Sequence, residues 1–120
     1  MKTFLKYGLA VVLVGFLANL LFGGGADKDA DIAALEKSGA LMIDVRTPGE
    51  FNSGHIEGAI NIPYDVIDRK IGDHPKDKAI IVYCRSGSRS SVAKQKLEQA
   101  GYTDVVNGGS LHRMQKQLAK

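Results

Sequence analysis

The chain has 120 residues, room for one domain, with 44% hydrophobic residues and a formal charge of +3. Two of those charges are Lys2 and Lys6. The remaining chain sets fourteen Lys and Arg against thirteen Asp and Glu, which is no electrostatic footprint for nucleic acid. One cysteine, Cys84, excludes an intramolecular disulfide and a multi-cysteine metal site.

Residues 1–26 read as a targeting segment rather than as part of the domain. Lys2 and Lys6 precede an uncharged apolar run over 7–22, which ends in Gly23-Gly24-Gly25-Ala26. The acidic stretch Asp27 to Asp31 follows. A basic start, an apolar middle and small residues make a secretory signal with a cut after Ala26. The same pattern serves as an uncleaved anchor over residues 4–25, since a span needs roughly 17 to 25 apolar residues. Both readings export residues 27–120 to the periplasmic side, because the lysines stay behind and the acidic stretch crosses. Gly24 and Ala26 make only an acceptable cleavage site, which favours the anchor.

The rest alternates helical and strand patterns, predicting an α/β fold with a central, mostly parallel sheet flanked by helices. A short helix is expected over 31–37, capped by Asp29 or Asp31 and closed by Gly39. Leu41 to Val45 reads as a buried strand. Thr47-Pro48-Gly49-Glu50 is a capping box with proline at the first helical position, so a helix follows over 48–53. After the turn at 54–58 come a short strand over 59–62 and a weak helical face at Val66, Ile67 and Ile71. Residues 79–83 form a fully apolar run, read as a central strand. From Ser90, Val92, Ala93, Lys96, Leu97 and Ala100 lie at helical spacing and Gly101 ends the helix. A last strand is expected over 104–107, a turn at Gly108-Gly109 and a final helix over 110–118.

Chemistry concentrates at Cys84-Arg85-Ser86-Gly87-Ser88-Arg89. A strand that stops in a Gly/Ser/Arg loop and then starts a helix aims loop N–H groups and a helix N-terminus at the thiol. That setting favours thiolate, the nucleophilic form. A core cysteine has no need of Arg85 and Arg89 beside it. His55, His74 and His112 have no metal-ligand spacing to one another or to Cys84, so no metal site is expected.

Three motifs in order resemble a known family. Asp44-Val45-Arg46 with Glu50-Phe51, followed by residues 54–63 (GHIEGAINIP), is similar to the N-terminal signature of the rhodanese domain. The 84–89 loop resembles its active loop, and Asn107-Gly108-Gly109 its downstream turn. The likeness covers residues 31–120, and with the export segment the chain most resembles the exported single-domain rhodaneses of the phage-shock type. It implies a sulfurtransferase that takes sulfane sulfur from thiosulfate or a similar anion, forms a persulfide on Cys84 and passes the sulfur to cyanide or a thiol, including a protein thiol. No cofactor is implied. The amides from Arg85 through Ser86, Gly87 and Ser88 to Arg89 are expected to hold anionic sulfur, with Arg85 contacting the donor. Arg89 either binds anion or pairs with a carboxylate. Asp44 and Arg46 are expected to support the loop by hydrogen bond or ion pair, His55 to pack in a turn, and Glu50 and Glu57 to serve cap and turn. Relatives commonly carry a tryptophan shortly after the glycine pair, where this chain has Arg113.

Other functions compete. Cysteine-dependent phosphatases and arsenate reductases set five residues between Cys and Arg to surround a tetrahedral anion, whereas four stand here. A partner-binding module has no use for the cysteine. A non-enzymatic persulfide carrier needs the same thiolate and loop, and the sequence does not separate it from an enzyme.

Overall fold

A computed structural model describes residues 25–120. The expected apolar helix and nearly all of the 1–26 segment lie outside the described residues. Among the described residues no helix is long and apolar enough to cross a membrane.

Among the described residues nine elements follow in order: α1 (Ile32–Lys37), β1 (Leu41–Asp44), α2 (Pro48–Asn52), β2 (Ile60–Asn61), α3 (Ile67–Lys70), β3 (Ile80–Cys84), α4 (Ser88–Gln99), β4 (Val105–Ser110) and α5 (Leu111–Leu118). The four strands form one sheet in the order β2-β1-β3-β4, with every pair parallel. Both faces are covered, which explains why β1 and β3 read as unbroken apolar runs. Successive residues serve opposite cores. Ile43, Val45, Ile80, Val82 and Cys84 pack with Ala93, Leu97 and Tyr102 on one face. Met42, Ile81 and Tyr83 pack with Ile32 and Met114 on the other.

Local signals act as expected at the helix starts. Asp31, not Asp29, caps α1 by accepting from the Ala34 amide at 3.1 Å. The Thr47–Glu50 capping box opens α2, with amide-to-side-chain bonds of 3.2 and 3.3 Å in the two directions. The strand over 59–62 shrinks to two residues, and the helical face near Val66 to one turn.

Two expectations are corrected. The helix after the cysteine begins at Ser88, two residues early, because Gly87 takes the left-handed conformation (φ 98°) and turns the chain within the loop. Gly108-Gly109 is not a turn, since β4 runs through it to Ser110. Val82 pairs with Asn107 and Tyr83 with Gly109, so Gly108 is an extra residue that bulges the strand. A Cβ on Gly108 would overlap the Met114 sulfur, and Gly109 has φ 86°. Sequence pattern reads two glycines as a stop, whereas here they let the edge strand β4 bend beneath α5.

The chain leaves β1 toward β2 on one side and β3 toward β4 on the other. The crevice beyond the carboxyl ends of β1 and β3 is therefore the switch point at which open parallel sheets place ligands. Asp44 and Cys84 end those two strands.

Candidate active site

Cys84 is the last residue of β3, fully buried, and its sulfur faces into the loop that follows. The Gly87 amide donates to Sγ at 2.9 Å, and Ser90 Oγ lies 3.4 Å away. Burial pushes the thiol pKa up. The Ser90 hydroxyl and the amides of Ser90, Gly87 and Ser86 outweigh it, so the net shift is downward and the thiolate is favoured. The twelve-residue helix α4 starts at this point and adds its N-terminal dipole.

The two loop arginines have different positions. Arg89 forms a bidentate pair with Glu50 of α2, at 2.7 and 2.9 Å. This is the carboxylate-pairing alternative, and it ties the end of the loop to α2. The pair holds the Glu50 carboxyl down to about 2, with the Arg89 bond the main cause and the Thr47 amide next. Arg85 is exposed and makes no hydrogen bond or ion pair with a described residue. It lines an open depression of about 430 Å³ with Arg46, Glu50, Ser53, Gly54, Leu111 and Gln115. Ser86 and Ser88 are exposed, with their hydroxyls 3.1 Å apart.

Asp44 and Arg46 bond to each other rather than to Cys84. The Arg46 guanidinium meets both Asp44 oxygens at 2.6 to 3.0 Å and reaches the Gly54 carbonyl at 2.6 Å. Asp44 is fully buried and Arg46 nearly so. The pair braces the turn after α2 and so supports the wall of the depression. His55 stacks on Phe51 with ring centroids 3.6 Å apart and bonds the Phe51 carbonyl through Nδ1, the packed turn role expected of it. Arg113 donates to the carbonyls of Gly108 and Asp27 at 2.8 and 3.3 Å, so a guanidinium clamps the start of α5 where the resemblance leads one to expect tryptophan.

Two residues at the site escaped the sequence reading. Ser90 and Asn107 are both buried, and Ser90 Oγ donates toward Asn107 Oδ1 at 2.7 Å. Asn107 also reaches the Gly87 carbonyl through Nδ2, at 3.2 Å. Its backbone pairs with Asp27: the Asp27 amide donates to its carbonyl at 2.8 Å, and its own amide donates to the Asp27 carboxylate at 2.8 Å. Lys94 closes this cluster on Asp27 at 2.7 Å. The signal available in advance was a polar residue set between two valines and two glycines.

A nucleophilic thiol ringed by amides, at the switch point of a parallel sheet, defines a class of cysteine-loop domains. The family model described as "Rhodanese-like domain" matches residues 29–110, and the chain belongs to that family. A "Sulfurtransferase" from Allochromatium vinosum is 42% identical over 67 residues, which span 56% of this chain and 63% of the relative, less than two thirds. "Thiosulfate sulfurtransferase PspE" of Escherichia coli K12 is 42% identical over 71 residues, 58% of this chain and 68% of the relative. A solved structure titled "rhodanese with anions from E. coli" superposes with a TM-score of 0.59 at 38% identity, covering 62% of this chain and 89% of that one.

Proposed function

We propose that this chain is a rhodanese-type sulfurtransferase that moves sulfane sulfur from thiosulfate, or a similar anionic donor, to a thiophilic acceptor through Cys84. The observation that carries the reading is the sulfur itself, enclosed by the Gly87 amide and the Ser90 hydroxyl at the start of α4. The Cys84 thiolate attacks the outer sulfur of thiosulfate. A new S–S bond forms as the donor S–S bond breaks, and its electron pair leaves with sulfite. The negative charge then rests on the outer persulfide sulfur, within reach of the loop amides. Cyanide or a thiolate takes that sulfur in a second displacement and returns the Cys84 thiolate. Arg85, without a hydrogen-bond or ion-pair partner among the described residues and lining the depression, meets the anionic end of the donor.

The phosphatase reading loses its main group. A phosphate loop needs its closing arginine on the substrate, and Arg89 is committed to Glu50 on two bonds. Protein thiols remain in the acceptor class, which is where a carrier and an enzyme overlap.

Export is proposed on the order of Lys2, Lys6, the apolar run and the acidic stretch. The domain then faces the periplasm, with residues 4–25 retained as an anchor or removed after Ala26. Full-length protein that pellets with membranes and resists carbonate extraction indicates the anchor. A soluble form beginning at Asp27 indicates cleavage.

Incubating the chain with thiosulfate and taking an intact mass tests the chemistry. A gain of one sulfur on the native protein is expected, absent in Cys84→Ser and removed by cyanide. A folded protein with a titratable thiol and no adduct would refute the transferase.

A further inference from the structure

Ser90 has one hydroxyl proton and three acceptors around it: Asn107 Oδ1 at 2.7 Å, the Gly87 carbonyl at 3.0 Å and Cys84 Sγ at 3.4 Å. The hydroxyl is buried, so no bulk water competes for that proton. The Asn107 amide orientation is set by the Gly109 N–H, which donates to Oδ1 at 2.9 Å. While Cys84 is a thiol, S–H donates to Ser90 Oγ and Ser90 donates onward to Asn107. Once Cys84 ionises, the sulfur is the strongest acceptor in reach. The hydroxyl can turn toward it without leaving Asn107 Oδ1 bare, because the Gly109 amide stays in place.

We propose that Ser90 and Asn107 are a positioning pair in which the Ser90 proton rests on Asn107 in the thiol and turns onto Sγ in the thiolate. The proposal rests on Cys84 being the reacting thiol. It also gives the hydroxyl a role through the reaction. Persulfide formation leaves Sγ neutral and bonded to the outer sulfur, a weak acceptor, so the proton returns to Asn107 and releases Sγ. Acceptor attack restores the thiolate and turns the proton back. No proton leaves the buried pocket in either step. Asn107 further holds the Gly87 carbonyl, so one side chain orients both groups that reach the sulfur.

The charged groups facing this loop are Arg85 and Arg89 on the loop, Asp44 at the end of β1, Arg46 just after it, Glu50 on α2 and Arg113 on α5. Tyr83 precedes the cysteine, and Lys94 with Asp27 flanks Asn107. The substitutions below leave all of these in place.

The test is the pH dependence of Cys84 alkylation by iodoacetamide in the full chain, where Cys84 is the sole cysteine. Ser90→Ala is expected to raise the midpoint by about one unit, a tenfold change in the ionisation constant. Asn107→Asp holds the Ser90 proton on a carboxylate and is expected to raise it further, by about two units. In the Ser90→Ala background that second shift should fall by more than half. An unmoved midpoint in Ser90→Ala, or full additivity in the double variant, would overturn the proposal. A purely structural role would lower the unfolding midpoint of the variants and leave the thiol midpoint where it was. If Asn107→Asp does not fold, Asn107→Ala replaces it: its shift of the midpoint should fall by more than half in the Ser90→Ala background, and full additivity refutes the pair. Alkylation needs no sulfur donor. A native protein that shows these shifts but takes up no sulfur sinks the transferase reading and leaves the pair standing.

Discussion

Replacing Glu50 by glutamine isolates the tie between the active loop and α2. Glutamine at the third helical position still serves the capping box, so the substitution removes the carboxylate partner of Arg89 and little else. The Glu50 carboxyl falls from its ordinary value of 4.5 to about 2 in the folded chain. Without solvent screening that shift would amount to about 3 kcal/mol by linkage. Glu50 keeps 25% and Arg89 28% of side-chain exposure, so solvent screens the pair and about 1 kcal/mol is the expected contribution. The sign follows from a folded pKa below the unfolded one. The contribution is complete above the unfolded pKa and is lost as pH falls from the range of 4.5 toward 2. Urea unfolding followed by circular dichroism, since the chain has no tryptophan, should show Glu50→Gln less stable by about 1 kcal/mol at pH 7. The two proteins should converge near pH 2. A gap that stays constant from pH 7 to pH 2 would show that the ionised pair is not its source.

Three other substitutions probe separate parts of the site. Arg85→Ala should raise KM for thiosulfate about tenfold with a smaller effect on kcat, since an exposed guanidinium contributes ground-state binding; steady-state kinetics at two salt concentrations checks this. Asp44→Ala leaves the Arg46 guanidinium buried without its carboxylate and should cost about 3 kcal/mol or more in urea unfolding, against no effect if the arginine finds water. Gly109→Ala forces an alanine to φ 86° with its Cβ 2.8 Å from the Ala26 Cβ, and should lower stability by about 2 kcal/mol; Ala26→Gly in the same chain should return only the steric part.

The sheet was legible because burial on both faces leaves runs such as Ile80 to Tyr83 that no surface element carries. The Thr47 capping box and the Cys84 loop were legible for a similar reason, since each needs particular residue types at fixed spacing. Two things were hidden by the same pair of glycines. Pattern treats Gly108-Gly109 as punctuation, yet strand pairing carries β4 through them by way of a bulge. With the strand ended at Asn107, that residue stood at a strand tip and its reach to Ser90 and Gly87 could not be inferred. The Arg89–Glu50 pair spans 39 residues of sequence, and only the placement of α2 over the loop brings the two together. Asp44 and Arg46 were placed as supports but not aimed: their partner is the turn at Gly54, not the sulfur.

The stretch from Ala26 to Asp27 carries a consequence for the life history of the chain. Ala26 lies against Gly109, and Asp27 is bonded to Asn107 through both its amide and its carboxylate. A peptidase must hold the residues around a scissile bond extended in its own cleft, and this backbone is already occupied. The bond after Ala26 is open to cutting only while β4 is uncovered. On the proposed export reading, cleavage after Ala26 and closure of the domain are rival clocks, and quick folding favours a retained N-terminal segment.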